Sequence, residues 1–243
     1  MIAAPPSDAE PRKRRAGLLS LFAPTDVERA VRASPDWTYE AADAACPRCG
    51  VSAGPGAVDP ADPGAGCARC RDRPTPWRRL TRLGPYAPPL DGWVRDLKFA
   101  NAWSLAPHLG RLLATALPAG PAPRPVLVVP VPLHWSRRWR RGYNQAQLMA
   151  RALAAARGLE AAPVLRRRRA ARRQARLSAT ARAKNLRDAF AGHDVDLSPY
   201  DVLLVDDVKT TGATLTACVR ILKQMGARQV DCAVAAVTDP PAG

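Results

Sequence analysis

Leu203-Leu204-Val205-Asp206-Asp207-Val208-Lys209-Thr210-Thr211-Gly212-Ala213-Thr214-Leu215 is an apolar run that ends in two carboxylates and passes through a Thr/Gly loop into a helix. Val202 to Val205 reads as a buried strand because it is apolar throughout. Leu215, Cys218, Val219, Leu222 and Met225 then recur in helical register, with Gly226 just past the helix end. A glycine-bearing loop opening into a helix N-terminus is an anion site, because successive backbone N–H groups converge there. Gly212 lets the chain curl around the anion, Thr210, Thr211 and Thr214 add hydroxyl donors, and Lys209 and Ala213 complete the loop. Two acids beside an anion site would repel phosphate, but they accept hydrogen bonds from sugar hydroxyls. The expected ligand therefore carries a ribose next to its phosphate, with Asp206 and Asp207 on the 2′ and 3′ oxygens and able to help hold Mg²⁺. The plainer alternative makes Asp207 or Thr210 an ordinary helix cap. Neither G-x4-G-K-[ST] nor G-x-G-x-x-G occurs here, which excludes a Walker A loop and a dinucleotide fingerprint.

Outward from this stretch, Val126 to Val129 and Val230 to Val237 are two more continuous apolar runs. Trp93 and Leu97, then Leu105, Leu109, Leu112 and Leu113, keep helical spacing, with Ser104 placed to cap and Pro118 to stop. A further helix starts near Asn144, carries Leu148, Met149, Ala152, Leu153 and Ala156 on one face and closes at Gly158. Fully apolar strands alternating with amphipathic helices predict an α/β fold, a parallel sheet with helices on both faces. The division expected is an N-terminal tail over 1–40 with one helix near Ser20 to Val31, a cysteine knuckle over 41–85, and the α/β domain over 86–243.

Of the 243 residues, 37 are Lys or Arg and 21 Asp or Glu, for a net charge of +16. Between Arg124 and Phe190 seventeen basic residues face only Glu160 and Asp188, so this third holds nearly all the surplus. Such clustering predicts an anionic partner rather than a solvated arginine-rich surface. Trp135, Trp139 and Tyr143 recur every four residues among Arg137, Arg138, Arg140 and Arg141. On a helix they would form an aromatic face beside a guanidinium face, a stacking platform for unpaired bases; packing against a neighbouring helix is the alternative. His108, His134 and His193 are scattered, and only His134 falls near the presumed site.

No apolar run approaches the roughly 18 residues of a membrane span, and the apolar patch Leu18 to Phe22 is shorter than a secretory core. The expected location is the cytoplasm. Cys46-Pro-Arg-Cys49 and Cys67-Ala-Arg-Cys70 stand seventeen residues apart, the spacing of zinc ribbons. Each pair sets two thiolates on one tight turn, and together they supply the four sulfurs that tetrahedral Zn²⁺ takes, a structural site with no open position. Gly54, Pro55, Gly56, Gly64 and Gly66 lie among them, so metal binding would fold a segment too poor in apolar residues to fold itself. Redox-active or free thiol pairs are the alternative, and Cys218 and Cys232 are expected to be buried as small apolar residues.

The acid-plus-loop stretch resembles the 5-phosphoribosyl 1-pyrophosphate (PRPP) signature of type I phosphoribosyltransferases. Val129-Pro130-Val131-Pro132-Leu133, Arg141-Gly142-Tyr143-Asn144-Gln145, then Gln174, Leu177, Arg182 and Asn185 before Phe190 narrow the likeness. With the cysteine pairs and Tyr86, Pro89-Leu90 and Lys98-Phe99, the chain resembles the ComF family of double zinc ribbon and phosphoribosyltransferase-like competence proteins over roughly residues 40 to 240. Members often carry another cysteine pair nearer the N-terminus; this sequence has none before Cys46. The resemblance implies a PRPP–Mg²⁺ site, and in transformable bacteria a part in taking up single-stranded DNA. It leaves open an active phosphoribosyltransferase on an unidentified nitrogen acceptor, or a non-catalytic PRPP or nucleotide sensor and adaptor for a competence helicase. In that fold the ribosyl C1 loses pyrophosphate through an oxocarbenium-like transition state, which the protein positions and stabilises. Asp206 and Asp207 would fix the ribose and Lys209 to Thr214 the 5′-phosphate. Pyrophosphate would fall to Arg141 and to Arg172, Arg173, Arg176 or Arg182 on a mobile loop.

Overall fold

The computed structural model describes residues 26–54, 56–58, 62, 64, 66–72, 74–120, 123–168 and 189–240. Its centre is a five-stranded sheet, all parallel, formed by β1 (Leu80–Pro85), β2 (Val126–Pro130), β3 (Glu160–Ala161), β6 (Asp201–Lys209) and β7 (Val230–Val237). The spatial order is β1-β7-β6-β2-β3. A separate antiparallel hairpin joins β4 (Leu165–Arg167) to β5 (Phe190–Gly192).

The central strands β2, β6 and β7 carry long apolar runs because both faces are covered. On one face Leu83, Val128, Leu203, Val205 and Ala235 pack against α3 (Leu90–Phe99), α4 (Leu105–Ala116) and α6 (Gln145–Arg157). Leu127, Val129, Val202, Leu204 and Val234 face the other way, toward α7 (Ala213–Gln224), the β4–β5 hairpin and Trp77. The first face also takes Val27 and Ala30 of α1 (Asp26–Ala33), which overlaps the helix expected near Ser20 to Val31. Residues 20–25 lie outside the described residues. Among the described residues no helix is long and apolar enough to cross a membrane.

Local sequence sets the helix ends. Asn144 caps α6 by accepting from Ala146 N (3.2 Å) and ties it to the sheet by donating from Nδ2 to Val131 O (3.1 Å). Gly158 ends that helix in the left-handed region, at φ 63°. Ser104 stands at the N-cap of α4 and Pro118 follows its end.

Three boundaries depart from the sequence reading. The sheet begins at Leu80, inside the segment grouped with the cysteines, because β1 pairs along β7 from Leu80↔Cys232 to Pro85↔Val237. Strand β6 runs on through both aspartates to Lys209. It does so because β7 pairs with it as far as Lys209↔Val237, so polar side chains there do not end the ladder. The cysteine knuckle, which includes α2 (Ala68–Asp72), is docked rather than detached. Leu80 N donates to Pro47 O (2.8 Å), and Ser52 donates to Asp239 from both N (2.9 Å) and Oγ (2.6 Å).

Helices α4 and α6 cross at Gly110, where a Cβ would stand 2.4 Å from Met149 O. Backbone cannot yield as a flexible side chain can, so Gly110→Ala is expected to lose about 1–3 kcal/mol by overpacking. A thermal melt should show this as a Tm lower by several degrees with unchanged secondary structure.

Candidate functional site

Strand β2 leads outward to β3 on one side, while β6, on its other side, leads outward to β7. Between them lies the switch point of the sheet, and the crevice beyond the carboxyl ends of such strands is where open α/β folds take ligands. The two ends are tied by Val131 N donating to Val205 O (2.9 Å). Asp206 and Asp207 stand at this rim on β6.

Asp207 is buried and compensated. Its Oδ2 accepts from Gln145 Nε2 at 2.7 Å and lies 3.2 Å from Lys98 Nζ. Arg141 Nη1 donates in turn to Gln145 Oε1 (2.6 Å), so Arg141 of the helix α5 (Trp135–Arg141) is joined to Asp207 through one amide. Asp206 is of the opposite character. Burial and the neighbouring Asp207 charge push its carboxyl up to about 7, although the Asp207 N–H that it accepts (2.9 Å) and the charges of Lys98 and Arg167 act the other way. Arg167 lies 5.0 Å over the Phe190 ring and is itself drawn below its usual range by burial. His134 caps α5, its Nδ1 accepting from Ser136 N (3.3 Å). Burial first, then the Arg167 and Arg137 charges, hold its pKa down.

Beyond the acids, Thr210 and Thr211 are exposed, and Gly212 stands at the N-cap of α7 with φ 79°, a conformation other residues rarely adopt. The first-turn amides of a helix have no carbonyl partner within it, which makes residues Thr210 to Thr214 a cup of donors. Thr211 Oγ1 accepts one of them, from Ala213 N at 3.4 Å. Lys209 departs from its expected place in this loop. It is the last residue of β6, is buried, and passes its Cε beneath Gly212, 3.3 Å from where a Cβ would sit. Its charge interacts with Cys49, Cys70 and Asp239, while burial pulls its pKa down.

The expected aromatic face is only partly formed. Trp135 and Trp139 on α5 are 69% and 90% exposed among Arg137, Arg138 and Arg140. Tyr143 is 4% exposed. The chain turns at Gly142 (φ 84°), which ends α5 and sends the Tyr143 ring into the core, its hydroxyl donating to Leu97 O (2.5 Å). Arg172, Arg173, Arg176 and Arg182 lie outside the described residues.

The knuckle brings the four Sγ atoms of Cys46, Cys49, Cys67 and Cys70 within 4.8 Å of one another. Separations of 3.8 Å (Cys46–Cys70), 3.7 Å (Cys49–Cys67) and 3.9 Å (Cys67–Cys70) match the edge of about 3.8 Å that Zn–S bonds of about 2.3 Å give a tetrahedron. Without a cation the thiols do not ionise together: the hydrogen bond from Cys49 holds Cys46 down to about 4, while Cys49 is pushed far up and Cys70 rises to about 11. A divalent metal that takes soft ligands would supply the missing positive charge, and the donor set fits zinc. For Mg²⁺ the carboxylate pair on β6 offers the hard oxygen donors that ion takes. Cys218 and Cys232 are buried thiols, as expected.

The sequence reading gives Lys98, Gln145 and Arg167 no role at the site. The first two stand inside the clusters Lys98-Phe99 and Arg141 to Gln145, whose family likeness is the only signal the sequence offers for them. Arg167 sits in a run of four arginines and had none.

The phosphoribosyl transferase domain family matches residues 141–243. DNA utilization protein YhgH of Salmonella typhi is 38% identical over 76% of this chain and 80% of that protein. Competence protein F of Haemophilus influenzae is 34% identical over 68% and 75% respectively. Among solved structures, the allosteric regulatory enzyme of purine biosynthesis aligns with 55% of this chain and 26% of its own, at 20% identity and a TM-score of 0.38.

A raised Asp206 pKa means that the folded chain binds a proton the unfolded chain, near 3.9, has already released. Stability must then fall as pH rises from about 4 to about 7. Asp206→Asn keeps an acceptor for Asp207 N–H and removes that cost. Its Tm is expected to exceed wild type by about 2–4 °C at pH 7.5, with the gap closing by pH 4. Equal melting temperatures at pH 7.5 would contradict the assignment.

Proposed function

The chain belongs to the ComF family, that of DNA utilization protein YhgH and Competence protein F, and from this premise we propose that it binds PRPP with Mg²⁺ in the β2–β6 crevice and handles single-stranded DNA. What carries the reading is the run of one strand from two acids into a donor cup: Asp206 and Asp207 on β6, then Thr210 to Thr214 at the head of α7. The cup amides and threonine hydroxyls would hold the 5′-phosphate, and the acids the ribose hydroxyls. Asp206 would serve as an acceptor in its ionised form, and its neighbour Asp207 is already fixed by Lys98 and Gln145. Mg²⁺, when bound, neutralises the pyrophosphate. Arg141, joined to Asp207 through Gln145, would offer a guanidinium to the same group, and Arg167, whose charge acts on Asp206, is a second basic group at the site.

A phosphoribosyl pocket does not entail transfer. Release of pyrophosphate from PRPP, assayed with bases, amines and DNA as acceptors, separates a transferase from a binding protein. For binding itself, calorimetry with PRPP and Mg²⁺ is the test. Asp206→Ala combined with Asp207→Ala should abolish the heat signal, and an unchanged isotherm would remove these acids from the site.

DNA handling is supported by the two exposed tryptophans of α5 set among arginines, where base stacking and phosphate neutralisation can act together. Affinity for an unstructured oligonucleotide should fall steeply with salt, with a log–log slope of about −0.7 for each phosphate neutralised. Trp135→Ala with Trp139→Ala should weaken binding by about tenfold or more without flattening that slope, as measured by fluorescence anisotropy. A salt-independent affinity would rule out the basic middle of the chain as the contact.

A further inference from the structure

Trp77 stands between the cysteine knuckle and the phosphate cup and touches both. It is 3% exposed, although it follows the knuckle in a stretch without helix or strand. Its indole Nε1 donates to Arg48 O at 2.6 Å, and Arg48 lies between the ligand pair Cys46 and Cys49. The Arg48 guanidinium also reaches Thr75, donating from Nη2 to the carbonyl and to Oγ1 at 3.3 Å each, so the knuckle grips this stretch twice. At the far edge of the same ring, Cη2 lies 3.2 Å from where a Cβ on Gly212 would stand. Gly212 is the residue whose left-handed conformation shapes the cup. Lys209 Cε comes to 3.3 Å from the same point. An inflexible bicyclic ring with a hydrogen bond at one end and a backbone turn at the other can move only as a unit.

We propose that Trp77 is a positioning residue that links metal occupancy of the four-cysteine knuckle to the shape of the phosphate cup, so that zinc and a phosphate monoester bind cooperatively. Zinc fixes the backbone of the Cys46–Cys49 turn, hence the carbonyl of Arg48, hence the indole under Gly212. By linkage the effect runs both ways: a ligand that orders the cup must tighten the hold on zinc by the same factor. This inference rests on the reading of Thr210 to Thr214 as a phosphate cup.

The zinc-loaded full chain is the material for the test, with ribose 5-phosphate as the probe. Its binding is measured by calorimetry, and the equilibrium transfer of zinc to a chromogenic chelator is followed with and without it. Saturating ribose 5-phosphate is expected to raise the apparent zinc affinity about fivefold or more. In Trp77→Phe, which loses the N–H donor and the outer ring, the holoprotein should still carry one zinc, yet ribose 5-phosphate should leave its zinc affinity unchanged. Ribose 5-phosphate that binds the wild-type holoprotein without altering zinc transfer overturns the proposal, as does full coupling in Trp77→Phe. Failure of the wild-type holoprotein to bind the sugar phosphate at all overturns the cup reading, and this inference with it. Should Trp77→Phe not fold, the wild-type measurement still decides.

Discussion

Strand β6 is hydrogen-bonded on both sides, to β2 and to β7, and it carries two carboxylates at its exit. That is the arrangement on which the rest depends. Strand β2 holds it as far as Val205 and β7 runs on beside both acids, so the charges at its end are held where burial raises the energy of ionisation. The surroundings answer unequally. Asp207 is given a lysine and an amide, whereas Asp206 keeps a destabilised carboxyl. A fold that retains such a group at a sheet's switch point has given up stability at a place where a ligand can return it.

Much of this was legible in the sequence because the physics involved is local. Continuous apolar runs marked β2, β6 and β7 as strands covered on both faces, and the caps Asn144 and Gly158 bounded α6. The two cysteine pairs at ribbon spacing announced a four-sulfur cluster, which the fold assembles. What escaped was set by partners far along the chain. Strand β1 lacks a clean apolar pattern, with Thr81, Arg82 and Gly84 in it, and becomes a strand because β7 lies alongside. Tyr143 kept the four-residue spacing of an aromatic face, yet one left-handed glycine before it redirected the ring to the core. Lys209 reads from sequence as part of a phosphate loop and sits instead in the strand, beneath it.

The knuckle looks in sequence like an independent module. Its docking changes what a metal bound there would mean for the protein. Arg82, with its side chain only 2% exposed, is held by Glu40 (2.7 Å) and by Asp239 (3.6 Å), and Ser52 shares that last carboxylate. Knuckle, edge strand and the segment after β7 therefore form one charged seam. A structural metal site is ordinarily a matter of stability alone; here the four-cysteine turn is bonded into the edge of the sheet and the segment after β7.

Ser52 and Asp239 are separated by 187 positions in the chain, and Pro47 meets Leu80 on a strand whose only sheet neighbour among the described residues is β7. During synthesis the cysteine turns emerge well before the strand that makes their berth. The nascent knuckle must wait, undocked, until β7 and Asp239 have been made, so its four cysteines come together in sequence early and find their place on the sheet late.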